Sequence, residues 1–277
     1  MGAIADLDTL LNLITGGGAG APETVWWFKD SRVGAAAAPA TVAGRWTSLW
    51  AYDGQPSDGA APGAAANPTN ATSGALKQTD AGGGRQKYLI SAAAGNNAAG
   101  TLILYDRLLH NSGLSGTTTT AQTVGGTLSR NTGGVGNIAW AEVYTAIGTT
   151  ATTYTCSYTN EAGTSGRTSQ AVAIGGTGAA EAQRILPMSL AQGDRGVRAV
   201  ASITLAASTL TAGSFGVTIA QPLILVPLGV VGMGGIRDLI TTLDIAPIAA
   251  GACLAWAWHA NGTTAPILMG HANFVEA

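Results

Sequence analysis

From Arg85 onward the chain is cut into short apolar or alternating runs separated by Gly, Asn and Thr clusters, and that rhythm admits little other than β-structure. The runs are Lys87–Ser91, Thr101–His110, Ile138–Ala146, Thr152–Thr159, Thr168–Ile174, Arg184–Leu190, Val197–Leu205, Phe215–Val226, Cys253–His259 and Ile267–Val275. Runs of this length bounded by turn-forming residues predict an all-β sandwich or barrel. The clearest case is Thr153 to Thr159, where Tyr154, Cys156 and Tyr158 form one face and Thr153, Thr155, Ser157 and Thr159 the other. Asn160–Gly166 then supplies a hairpin loop. The expected fold is an antiparallel, jelly-roll-like β-sandwich over residues 87–277, with one further short helix over Ile236–Leu243.

Two segments precede that body. Ile4, Leu7, Leu10, Leu11 and Ile14 recur at helical spacing, Asp6 and Asp8 lie near the positive end of the helix dipole, and Gly16–Gly18 ends the pattern. A helix this short is marginal alone, so its apolar stripe must dock on its own domain or on a neighbour. Residues 1–20 are therefore a helix with a glycine hinge. Residues 21–86 are rich in Ala, Gly, Pro and Thr, with aromatic islands at Trp26-Trp27-Phe28 and Trp46 to Tyr52. Composition alone would make this stretch a linker; the tryptophans, each able to bury about 150–250 Å², make it an extended arm pinned to a surface. The candidate interface residues are Ile4, Leu7, Leu11, Ile14, Trp26, Trp27, Trp46 and Trp50.

Charge is scarce. Only 10% of the 277 residues are charged, against about 25% in ordinary globular domains. With a net charge of −2 there is no basic footprint for direct nucleic-acid binding, and 46% hydrophobic residues argue against disorder. Beyond Ala199 the only charged residues are Arg237, Asp238, Asp244 and Glu276, which makes the C-terminal third the expected heart of the sandwich or of its subunit contacts. The uncharged stretch Ala199–Ile236 is broken by Pro222, Pro227 and many hydroxyl residues, which fits strands rather than a membrane helix. Met1–Asp6 shows no signal-peptide pattern, so a cytoplasmic origin is expected.

The chemical motifs are thin. Cys156 and Cys253 lack any zinc or disulfide pattern and are expected to be reduced and buried. There is no GxxxxGK[ST], and Gly229–Gly235 has Arg237 where a dinucleotide fingerprint needs glycine. Gly163-Thr164-Ser165-Gly166 and Gly113-Leu114-Ser115-Gly116 each fall one residue short of a nucleophile elbow. His259 and His271 could share a neighbourhood on adjacent terminal strands, Asp194, Arg195 and Arg198 read as a local ion-pair corner, and most aspartates sit beside glycine in turns. No catalytic, cofactor or metal site is expected.

Certain stretches nevertheless resemble those of tailed-bacteriophage structural proteins. They are Ser48-Leu49-Trp50-Ala51-Tyr52-Asp53-Gly54-Gln55-Pro56 leading to Gly59–Gly63, and the run from Ala139–Tyr144 through Tyr158–Gly163 to Gly213–Val217. The resemblance implies a virion component assembled in the host cytoplasm, of the capsid decoration or cement kind. Such proteins are β-rich, often trimeric, and hold to themselves and to the major capsid protein without enzymatic residues. A tail, collar or baseplate component is the nearer alternative. A carbohydrate-binding or carbohydrate-cleaving β protein is the other, and it would need Trp140, Trp256 or Trp258 exposed; the register of Leu254 with the latter two favours the core.

Overall fold

The structure, a computed structural model, describes residues 4, 6–17, 20–32, 41–238 and 245–277. The described residues form antiparallel sheets in layers, with one short α-helix, α1 (Leu7–Ile14), at the N-terminal end.

The first flanking sheet has the order β14 (Gly235–Asp238), β4 (Lys87–Asn96), β17 (Ile267–Glu276), β1 (Glu23–Asp30) and β3 (Asp53–Gln55), with β15 (Ala246–Ile248) also on β4. The middle is a closed barrel of β11 (Arg184–Pro187), β2 (Trp46–Ser48), β16 (Leu254–Ala260), β5 (Gly100–His110), β13 (Ser214–Leu228) and β7 (Ile138–Thr145). The second flanking sheet runs β10 (Val172–Ile174), β8 (Thr152–Asn160), β12 (Val197–Leu205) and β6 (Gln122–Thr123), with β9 (Arg167–Thr168) on β8. Closing the middle sheet removes its edges, which in an open sheet would template further pairing.

Three apolar clusters follow from this layering. Trp27, Leu89, Leu104, Val226, Trp256 and Trp258 pack between the first sheet and the barrel. Val143, Tyr154, Cys156, Tyr158, Ile203 and Phe215 pack between the barrel and the second sheet. Trp50, Tyr105, Trp140, Tyr144, Ala255 and Ala257 form the third cluster, on the barrel's own side of these strands. β16 shows why its sequence is continuously apolar rather than alternating: Trp256 and Trp258 belong to one cluster while Ala255 and Ala257 belong to another, so both faces are buried. The alanines leave room for the large side chains opposite.

The all-β antiparallel expectation and the run of strands from Lys87 agree with these sheets, and three expectations are corrected. The described residues of 21–86 are not an extended arm pinned to the β body but part of it: β1 lies between β17 and β3, β2 closes the barrel, and Trp27, Leu49, Trp50 and Tyr52 are core. Trp27 and Tyr52 are buried on one side of the barrel wall and Trp50 on the other, so a boundary at 86/87 cuts through shared layers. The helix expected over Ile236–Leu243 is a strand for its first residues, because β14 ladders onto β4 through Ile236↔Ala93 and Arg237↔Ala92; positions 239–244 lie outside the described residues. The single run Thr168–Ile174 is two short strands, β9 and β10, on β8.

Candidate interaction surface

β1 explains how two adjacent tryptophans part company. Strand side chains alternate, so Trp27 turns inward, 2% exposed and 4.6 Å from the Trp256 ring, while Trp26 turns outward and stays 64% exposed. Register then places Trp26 beside His271 of β17, His271 beside Ala93 of β4, and Ala93 beside Ile236 of β14. The next row outward is Phe28, Met269 and Gly95. Ile236 is 69% and Met269 58% exposed. Between Trp26 and Ile236 lies a shallow groove of about 640 Å³ whose floor is Ala93, Ala94, Gly95 and Gly270. β17 and β4 approach closely beneath it, since a Cβ on Gly270 would sit 2.0 Å from the Ala93 carbonyl oxygen. Among the described residues no Asp, Glu, Lys or Arg lines this groove. At its margin the β13–β14 turn exposes Val230, Val231 and Met233, with the Gly232 amide donating to the Asn96 carbonyl at 3.1 Å.

The other end of the same face carries α1. Asp6 caps it, its Oδ1 accepting from the Thr9 amide at 2.7 Å. Leu10 and Leu13 dock on Ile90 of β4 and Val275 of β17, with Ile4 and Tyr88 packed partly against them. Leu7, Leu11 and Ile14 remain exposed, Leu7 at 61%. At 100° per residue these three continue the apolar arc from the docked side round one flank. Between helix and groove runs a polar row in which Thr24 Oγ1 donates to Asn273 Oδ1 at 2.9 Å and Asn273 Nδ2 donates to Ser91 Oγ at 2.8 Å.

The eight candidate residues thus divide. Leu7, Leu11, Ile14 and Trp26 share one exposed face. Ile4 is half-buried beside them. Trp27 and Trp50 are core, the Trp50 indole donating to the Ala60 carbonyl at 3.0 Å and lying 4.6 Å from the Arg107 guanidinium. Trp46 is half-buried, 4.9 Å from the His259 ring in the barrel wall. Sequence reasoning missed Leu13, Ile236 and Met269. The alternation Leu268/Met269, Phe274/Val275 in β17 could have revealed Met269 as outward; Ile236 was masked by a helical pattern that the free edge of β4 overrode.

Several ionisable side chains are buried. Within the barrel Arg107 Nη2 pairs with Glu142 Oε2 at 2.8 Å, both fully buried, and also donates to the Tyr144 hydroxyl at 2.7 Å. Burial pushes the Glu142 carboxyl up, but Arg107 and hydrogen bonds from Arg107, Ser48 and Thr218 outweigh it and hold it below its usual range. Arg107 Nε donates to His110 Nδ1 at 2.8 Å, and burial together with the nearby cation lowers His110 to about 3, so it is neutral. Burial likewise pushes the Cys156 and Cys253 thiols up to about 12, which leaves them unreactive near neutral pH. Buried Lys29 donates to the carbonyls of Tyr52, Pro56 and Ser57, and burial lowers it to about 8.

The expected corner at Asp194 is built differently. Asp194 accepts from Arg167 at 2.9 Å, from Tyr158 and from Asn160, which lower it to about 2, while Arg195 and Arg198 turn to Glu161. His259 and His271 are not neighbours on adjacent strands; they lie in different sheets, their rings tilted against those of Trp46 and Trp26 respectively. No cluster of three or more metal-ligating side chains occurs among the described residues. Trp140, Trp256 and Trp258, which the carbohydrate reading needs in solvent, are all core. No helix among the described residues is long and apolar enough to cross a membrane.

The chain matches no protein-family model, no curated protein and no solved structure. The fold and surface define its class: a layered antiparallel β protein with a buried ion pair in its barrel and an exposed apolar face on its first flanking sheet.

Proposed function

We propose that this chain is a non-enzymatic structural subunit of a tailed-bacteriophage particle, a jelly-roll-like decoration or cement protein that acts as a homo-oligomer on the capsid shell. The observation that carries this reading is the outer face of the first flanking sheet. Trp26, Ile236 and Met269 on its strands, Leu7, Leu11 and Ile14 on its helix, and Val230, Val231 and Met233 on its marginal turn are exposed together, whereas Val135, Ile138, Leu210 and Leu225 are exposed elsewhere. Contiguous apolar surface above a few hundred Å² marks an interaction site, and the cores of interfaces are poor in charge and rich in aromatic residues and methionine. The sequence resemblance supplies the particle.

The test is immunogold labelling of purified tailed particles from a host that carries this gene, using antibody against the purified chain. Labelled shells are expected. Particles that stay unlabelled, both intact and after disruption, contradict the proposal, and label confined to the tail moves the chain to the tail, collar or baseplate.

A further inference from the structure

We infer that the outer face of the first flanking sheet is an interface between two copies of this chain, related by a two-fold axis running across the strands between the Thr24–Asn273–Ser91 row and the Trp26–His271–Ala93 row. The inference rests on reading that face as an assembly surface, and not on the assignment to a phage particle.

Area is the first argument. The half-exposed aliphatic side chains and methionines on this face each leave roughly 50–100 Å² to solvent and Trp26 about 150 Å². Together they offer on the order of 700 Å², near the ~800 Å² that each partner contributes to a standard interface. Charge is the second. The groove between Trp26 and Ile236 is lined without Asp, Glu, Lys or Arg among the described residues, so two identical faces meet without like-charge repulsion, whereas a charged partner would have its charges desolvated and unpaired there.

Shape is the third. The helix rises over Val275 at one end of the strands, and the hollow opens around Met269 at the other. These positions are six residues apart on β17, about 20 Å. A two-fold axis across the strands exchanges the ends, so α1 of each copy seats in the hollow of the other, the reciprocity an isologous contact requires. The helix needs such a cover, because its apolar arc extends past the docked Leu10 and Leu13 to Leu7, Leu11 and Ile14. The row beside the axis can be enclosed with its side chains already paired, since Thr24, Asn273 and Ser91 hydrogen-bond one another.

Sedimentation equilibrium of the full chain at micromolar concentration tests this. The expected mass is twice the 27.5 kDa of the monomer. Trp26→Asp and Ile236→Asp, both at solvent-exposed positions, each weaken the dimer at least 100-fold with an unchanged circular dichroism spectrum. Under mild oxidation Leu11→Cys combined with Met269→Cys gives a disulfide-linked dimer, and neither single substitution does; the native Cys156 and Cys253 are buried. A monomeric wild type, a trimer, a dimer indifferent to both aspartates, or a double-cysteine variant that does not cross-link overturns the inference. A dimer of this kind that fails to label phage particles leaves the interface standing and removes the phage assignment alone.

Discussion

Arg107 and Glu142 show what a charge-poor chain does with the charges it has. Both are fully buried, and each lies within reach of several polar partners in the barrel. Such a pair adds little net stability over a well-packed apolar core, but removing one member leaves the other buried and uncompensated. Glu142→Ala is therefore expected to lower the unfolding free energy by about 3–5 kcal/mol, read by urea denaturation. His110 adds a pH dependence with a definite sign. It is lowered to about 3 from 6.5 by burial and by Arg107. Below pH 6.5 the unfolded chain takes up a proton that the folded chain refuses, so stability is complete above 6.5 and falls as the pH drops toward 3. Asp194, lowered to about 2 from 3.8 by its bonds to Arg167, Tyr158 and Asn160, adds a further loss as the pH falls through that interval. Urea midpoints at pH 7, 5 and 4 should decline for the wild type and decline less for His110→Gln. A flat profile for the wild type would contradict the buried neutral histidine. None of this was legible in the sequence, where Arg107, His110 and Glu142 are separate polar residues inside apolar runs; only closure of the barrel brings them together.

At the scale of elements, the strands from Lys87 onward could be read from local pattern because period-2 alternation and bounding glycines are properties of the segment itself. β1 and β14 could not. Glu23–Asp30 carries two tryptophans side by side amid Pro- and Gly-rich neighbours, and its strand character comes from the partners β17 and β3 on either side. Ile236 has a helical pattern of neighbours, and the exposed ladder of β4 decided otherwise. The N-terminal helix was foreseen, but the division of its stripe was not: which leucines dock depends on where the sheet lies, and Leu10 and Leu13 face it. Replacing both by serine should release α1 while the sheets stay folded, seen as loss of amide-exchange protection over residues 7–14 with the rest unchanged; global unfolding would contradict a helix that only sits on the sheet. Gly270 tests the close approach of β17 and β4. Gly270→Ala places a Cβ against the Ala93 carbonyl and should cost about 1–3 kcal/mol or more by overpacking. Gly229→Ala, with nothing within 4 Å of its Cβ position, should stay within about 0.5 kcal/mol of the wild type. Thermal melting of the two variants separates these outcomes.

For the whole molecule, the scarcity of charge resolves into two consequences. Beyond Ala199 the chain supplies β12, β13, β16 and β17, which belong to all three layers, so its apolar residues build the interior as the sequence led one to expect. Of the large apolar side chains left exposed among the described residues, Trp26, Ile236, Met269, those of α1 and those of the β13–β14 turn gather on one outer face, and our account holds that this face is covered when the protein works. Hydroxyl-radical footprinting measures that cover directly, with Trp26 and Met269 as reporters on the face and Leu210, exposed elsewhere, as the internal standard. The account predicts that oxidation of Trp26 and Met269 falls several-fold relative to Leu210 as the protein is taken from nanomolar to high micromolar concentration. Equal oxidation of all three at every concentration, and in the assembled particle, would contradict it.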